Sequence, residues 1–331
     1  MESIFNNIKF GKMNLKSHII RTGLWESQNE SSKNLTPLIY DRYEKLAKNN
    51  VGLIITELIS MYSHDRFSDY SHYINSPYFV KEFKELTEIV HQYNVPIFAQ
   101  IGFINCNING KQMMEVNDLT IDDIRKIQSD YVIAAKKIAF AGFDGIQLNV
   151  GNNYYLSRIM DPFENQREDK YGGNTYNRVR IVLEIIKLIK QTTSLHIHCR
   201  VNLYKDFNDS VEICKILAEN GADSLQITKF LSPQYFRKTL SNQDMLVEFT
   251  DKVASEVSVP VVLGGGLSNM DSIEELINES NINFISMQRP FVRSLDFLTK
   301  WKNDSHGESE CKTCNNCYWK KSSTCIIKSP K

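Results

Sequence analysis

A single (β/α)8 barrel with a short cysteine-rich C-terminal tail is the fold this sequence predicts, and three observations predict it. Eight short apolar runs alternate in order with longer amphipathic stretches, the pattern of a parallel α/β fold. The chain has 331 residues, room for one large domain with a full core. The rival, a doubly wound sheet, would carry a Gly-x-Gly-x-x-Gly turn after its first strand. Thr22-Gly23-Leu24-Trp25 stands there instead.

The eight runs place strands at residues 18–22, 52–58, 96–101, 145–150, 196–202, 224–228, 260–264 and 284–287. The clearest helix spans 120–141, where Ile121, Ile124, Ile127, Tyr131, Ala135 and Ile138 share one face. Thr120 and Asp123 form its capping box. Further helices begin near Pro37, Pro77, Thr175, Asp209, Asn242, Asn269 and Ser294. Residues 1–304 then form the barrel and 305–331 the tail. Lys plus Arg and Asp plus Glu both number 39, so no basic face points to nucleic acid. The opening segment carries Glu2 and no apolar run, and no stretch reaches the roughly 20 apolar residues of a membrane helix. A cytoplasmic protein without a nucleic-acid or membrane partner is expected.

Barrel enzymes work at the C-terminal ends of their strands and often hold phosphate after strands seven and eight. Strand seven breaks into Gly264-Gly265-Gly266, with Ser268 as the expected cap of the next helix and Asp271 three residues on. Strand eight runs into Gln288 and Arg289. Glycines admit a phosphate to the backbone, and a helix start attracts an anion. Alone, each half would be a tight turn or a surface arginine; together they indicate a phosphate site. Gln100 closes strand three and Arg200 lies on strand five. A primary amide both donates and accepts, and an inward arginine needs an anion or an ion-pair partner.

The most specific stretch is DPFENQREDKYGG at residues 161–173, a long loop in which Arg167, Asp169 and Tyr171 supply ion pairs and an aromatic anchor. It resembles the Asn-x-Arg-x-Asp-x-Tyr-Gly-Gly run that follows the fourth barrel strand in the old yellow enzyme family. The opening LKSHIIRTGLWE also resembles that family's first strand and loop. The resemblance implies a barrel that binds FMN, with a hydride donor, NADH or NADPH, visiting the same pocket. It implies Thr22, Gly23, Leu24 and Trp25 along the flavin ring, Leu58 offering backbone groups to its edge, and Gln100 and Arg200 at its head. Gly265, Gly266, Gln288 and Arg289 fall on the phosphate-binding positions. Trp25 stands where relatives often carry a small polar residue or cysteine, so packing at the barrel mouth is its other reading.

The family places a His-x-x-His or His-x-x-Asn donor pair at the end of strand four, with a tyrosine acid two residues later. Here the pair is Asn149 and Asn152, and Tyr154 takes the acid position. An Asn amide donates to a growing negative charge, yet Asn also stabilises irregular loops. The expected activity is ene-reduction of an electrophilic small-molecule alkene. Two alternatives stay open: a flavin barrel with altered or lost ene-reduction, and an RNA-modifying flavin barrel, which the neutral charge disfavours. A homo-oligomer is compatible with this reading.

Cys311, Cys314, Cys317 and Cys325 crowd the tail. Such spacing suits free thiols, zinc or an iron–sulfur centre. Dienoyl-CoA reductase relatives carry a four-cysteine cluster there, ahead of a second flavin domain that this sequence does not reach. The expectation is no bound metal. Cys106, Cys199 and Cys214 are expected to be small buried residues.

Overall fold

The computed structural model describes residues 3–23, 35–63, 65, 72–104, 115–204, 206–229, 243–303, 307–319 and 325. A hairpin of β1 (Ile8–Phe10) and β2 (Met13–Leu15) precedes the barrel. The barrel strands are β3 (Ile19–Arg21), β4 (Leu53–Ser60), β5 (Ile97–Gly102), β6 (Gly145–Val150), β7 (His196–Leu203), β8 (Ser224–Lys229), β9 (Val261–Gly264) and β10 (Phe284–Met287). They are parallel and close in sequence order, with β10 pairing β3. All eight expected strands are present, each displaced by at most two residues at an end.

Helices α1 (Pro37–Lys48), α2 (Phe79–His91), α3 (Ile121–Phe140), α4 (Tyr155–Met160), α5 (Thr175–Thr192), α6 (Phe207–Glu219), α7 (Gln243–Glu256), α8 (Met270–Glu279), α9 (Arg289–Arg293), α10 (Phe297–Asn303) and α11 (Asn316–Trp319), with a 3-10 turn at Val116–Asp118, complete the described elements. At the start of α3 the Asp123 N–H donates to Thr120 Oγ1 and the Thr120 N–H donates to Asp123, the expected capping box. The cap of α8 is Asn269, whose side chain accepts from the Ser272 N–H at 3.0 Å, and not Ser268. An Asn oxygen one position later meets the same helical donors. No helix among the described residues is long and apolar enough to cross a membrane.

The two faces of the strands are packed differently. Their outer face joins the helices in one large apolar core. The floor of the barrel is a smaller cluster of Phe10, Ile20, Leu53, Ile55, Phe98, Val262 and Phe284. Phe10, supplied by the unexpected hairpin, stacks on His196 with ring centroids 5.2 Å apart. Above this plug the interior turns polar. His196 Nε2 and His198 Nδ1 each lie 2.7 Å from Ser224 Oγ, and Gln147 donates to Gln226 at 2.8 Å. Burial lowers His196 to about 4 and His198 to about 3, so both imidazoles are held neutral, as a dry interior demands.

The 161–173 loop is ordered by its own side chains. Arg167 pairs with Asp169 and donates to the carbonyls of Val116 and Leu119 at 3.0 and 2.7 Å. Tyr171 donates its hydroxyl to Glu184 of α5 at 2.9 Å. A Cβ on Gly172 would stand 2.0 Å from the Arg167 carbonyl oxygen, which is why the motif needs glycine there. This motif therefore clamps the loop between α3 and α5.

Candidate active site at the barrel mouth

At the C-terminal ends of the strands, the inward side chains converge by the two-residue period of each strand. On β7 that period brings His196, His198, Arg200 and Asn202 to one face; on β6 it brings Gln147 and Asn149. Register sets Asn149 beside Arg200 and Leu58 beside Gln100. The latter pairing depends on an extra residue in β4 between Ile55 and Leu58.

Gln100 is the hub of the site, and it is 3% exposed. Its Nε2 donates to the Thr56 carbonyl at 3.1 Å, and its backbone N–H donates to Thr56 Oγ1 at 3.1 Å. Those partners fix the amide, so Oε1 points inward. There it accepts from Asn149 Nδ2 at 3.0 Å and from Arg200 Nη1 at 3.4 Å. Asn149 is consequently fixed too. Among the described residues its Oδ1 has no partner, and neither does Thr22 Oγ1 at the end of β3, although both are buried. A buried polar atom without a partner costs about 1–3 kcal/mol, so these two atoms at the mouth fit a polar ligand.

The chain leaves β6 through Gly151, Asn152 and Asn153. Asn152 and Asn153 adopt φ of 56° and 60°, the left-handed region that Asn tolerates better than most residues. A Cβ on Gly151 would lie 2.8 Å from Asn202 Oδ1. That same oxygen accepts from the Asn152 N–H at 2.8 Å and from Thr228 Oγ1 at 3.2 Å. With its amide oxygen turned to the donors, Asn152 accepts from Arg200 Nη2 at 3.0 Å and Nε at 3.2 Å.

Tyr154 caps α4 at its start, with its ring 3.4 Å from the position of a Cβ on Gly102. Burial raises its phenol above the ordinary value; Arg200 pulls the other way and Asp65 adds to the rise. The hydroxyl therefore stays protonated at neutral pH. Its neighbour Tyr155 is a packing residue, fully buried and stacked on Phe103 at 5.1 Å.

On the opposite rim, Gly265 and Gly266 adopt φ of 86° and 96°, and no atom of the described residues lies within 4 Å of the Cβ position of Gly265. The Gly265 N–H turns back to the Leu263 carbonyl at 3.2 Å, so this residue shapes the turn. Gln288 donates to the Gly23 carbonyl, joining β10 to the end of β3. Gly23 touches β4 so closely that a Cβ would stand 2.0 Å from the Thr56 carbonyl oxygen. Leu24 and Trp25 lie outside the described residues.

Arg289, at the start of α9, also reaches the tail. Its Nη1 donates to Asn315 Oδ1 of the tail at 2.8 Å, and it borders a cavity with Cys311, Cys314, Cys317 and Cys325. The tail is docked on the same rim: the Ser309 N–H donates to the Ser268 carbonyl at 2.7 Å and the Met270 N–H to the Gly307 carbonyl at 3.0 Å. Among the described residues, no three of His, Cys, Asp or Glu are placed to hold a single metal ion. Cys311, Cys314, Cys317 and Cys325 border one cavity without converging as a ligand set. Cys199 and Cys214 are buried, as expected, and Cys106 lies outside the described residues.

Sequence reasoning reached Gln100, Asn149, Arg200 and Tyr154 and missed Thr56, Asp65, Asn202 and Thr228. Asn202 was within reach, since it continues the inward period of β7 from Arg200. Asp65 carries no such signal; its carboxylate accepts from the Ile104 N–H at 2.5 Å across a loop.

Comparison with known proteins agrees with this geometry. Residues 103–308 match the family described as NADH:flavin oxidoreductase / NADH oxidase. An NADH oxidase of Thermoanaerobacter brockii is 25% identical over 95% of this chain, which spans 53% of that protein's length. An NADPH dehydrogenase of Bacillus subtilis (strain 168) is 23% identical over 88% of this chain and 91% of its own. The solved structure of the old yellow enzyme homologue from Zymomonas mobilis superposes with a TM-score of 0.78 at 21% identity, covering 94% of this chain and 96% of that one. A closed eight-strand barrel, a polar mouth built from its strand ends and a match over most of the chain lead to one conclusion: the protein belongs to the NADH:flavin oxidoreductase / NADH oxidase family, a family of enzymes that use FMN and a nicotinamide dinucleotide.

Proposed function

We propose that this protein reduces the activated C=C bond of a small electrophilic substrate at the expense of NADH or NADPH, with FMN as resident cofactor. The balance is one dinucleotide, one proton and one alkene in; one oxidised dinucleotide and one saturated product out. FMN, when bound, relays the electron pair as hydride between two substrates that occupy the pocket in turn. The observation that carries the reading is a buried, protonated Tyr154 on the same mouth as the Gln100–Asn149–Arg200 cluster.

The residues divide by chemistry. Thr22 and Gln100 supply polar atoms for the cofactor's ring edge, with Leu58 and Gly23 offering backbone groups. Arg200 supplies the positive charge that a reduced flavin head favours. Gly265 and Gly266 shape the turn toward the phosphate, with Gln288 and Arg289 beside it. Asn149 keeps an amide hydrogen beyond the one given to Gln100, and that hydrogen serves a substrate oxygen as negative charge grows on it. Tyr154 gives its hydroxyl proton to the carbon that hydride does not reach. The names of the relatives, an NADH oxidase and an NADPH dehydrogenase, support either dinucleotide as donor.

Stopped-flow spectroscopy of the FMN-loaded protein tests this. Tyr154→Phe should slow reoxidation by cyclohexenone about 100-fold or more, the usual weight of a general acid, and leave reduction by the dinucleotide nearly intact. Equal loss in both half-reactions would reject the role. Reoxidation by oxygen but not by enone or quinone would leave a flavoprotein without this activity.

A further inference from the structure

Asn152 sits where the second substrate donor was expected, and its contacts run elsewhere. With its amide turned so that the oxygen meets the donors facing it, that side chain takes two N–H groups of Arg200, Nη2 at 3.0 Å and Nε at 3.2 Å. Its backbone N–H is held by Asn202, two residues beyond Arg200 on the same strand face. Gly151 allows that approach, because any Cβ there would crowd Asn202 Oδ1 at 2.8 Å. The turn after β6 is thus folded back onto β7, and the guanidinium is gripped from two sides. Asn152 holds Nη2 and Nε, and Gln100 Oε1 meets Nη1 at 3.4 Å. These two partners are neutral amides, so each fixes the direction of the guanidinium and adds no negative charge of its own.

We infer that Asn152 is a positioning residue for Arg200, directing its charge at the flavin head, and is not a donor to the substrate. This rests on the FMN reading given above. It separates the two asparagines that spacing had paired. Asn149 serves the substrate side, and Asn152 sets the affinity and electron demand of the cofactor.

The test uses the full chain titrated with FMN, followed by measurement of the flavin midpoint potential and of sulfite adduct formation. Asn152→Gly is the primary variant, since glycine accepts φ of 56° without strain while the side chain is lost. It should weaken FMN binding about 10-fold, the worth of one hydrogen bond to a charged group, and lower the potential. Asn152→Asp keeps the grip on Arg200 but sets a negative charge against it. It should bind FMN more tightly than the glycine variant yet show an equal or lower potential and weaker sulfite addition. A role confined to loop structure would make the two variants alike. Unchanged FMN affinity and potential in both, with slower reoxidation by cyclohexenone, would overturn the inference and restore the donor role. If the folded wild-type protein binds no FMN, the underlying reading fails and not this assignment alone.

Discussion

Replacing Gln100 by leucine removes the hub of the mouth while nearly keeping its volume. The side chain is 3% exposed, so water cannot take over its bonds. Three groups lose a partner: the Thr56 carbonyl at 3.1 Å, Asn149 Nδ2 at 3.0 Å and, more weakly, Arg200 Nη1 at 3.4 Å. Asn149 suffers most. It is 1% exposed and its oxygen is already without a partner, so the whole amide would be buried unbonded. Each stranded buried group costs about 1–3 kcal/mol. Burial of the leucine returns about 1–2 kcal/mol, leaving a net loss of about 2 kcal/mol or more. Urea denaturation of the protein without FMN measures this directly, as a lower midpoint at unchanged slope. FMN binding should weaken further, by about 30-fold or more, because a group that both donates and accepts is lost along with the orientation of Arg200. Gln100→Glu is the matched control. It keeps acceptors for Asn149 and Arg200, loses only the donor to Thr56, and should fall between wild type and leucine in stability. A leucine variant with the wild-type urea midpoint and FMN affinity would show that the hub is not what organises the mouth.

Two other outcomes follow from the same structure. Burial lowers His198 from 6.5 to about 3, so the folded protein resists a proton that the unfolded chain accepts. Its contribution is intact above pH 6.5 and is lost as pH falls from 6.5 toward 3, about 3 kcal/mol by pH 4.5. His198→Gln, which keeps a hydrogen-bonding side chain, should flatten the acid limb of a stability–pH curve by that amount, while the opposing titration of Glu57, pushed up to about 8 by burial, cancels between the two proteins. Identical acid limbs would refute the assignment. In the tail, as-purified protein should lack the broad absorption of an iron–sulfur centre beyond the flavin bands and show four titratable thiols at Cys311, Cys314, Cys317 and Cys325; stoichiometric iron and acid-labile sulfide would overturn this.

The amino-acid sequence by itself determined the barrel. Strand and helix periods are local properties, and eight of them in order leave few other closures. It also determined which residue types reach the mouth, because Gln100, Asn149 and Arg200 each fall on the inward period of a strand. The hairpin was not legible, since three-residue strands are too short to show a period. Nor was the cap at Asn269, one position from an equally plausible serine. Tertiary structure decided what each polar group does there. Hydrogen bonds are directional and saturable, so once Thr56 claims the Gln100 amide, the orientations of Asn149 and then of Arg200 follow. That order of claims joins residues about 50 to 100 positions apart, and spacing along a chain holds no record of it. The same holds for Arg289 and the four tail cysteines, which meet only because the tail returns to the rim of the barrel.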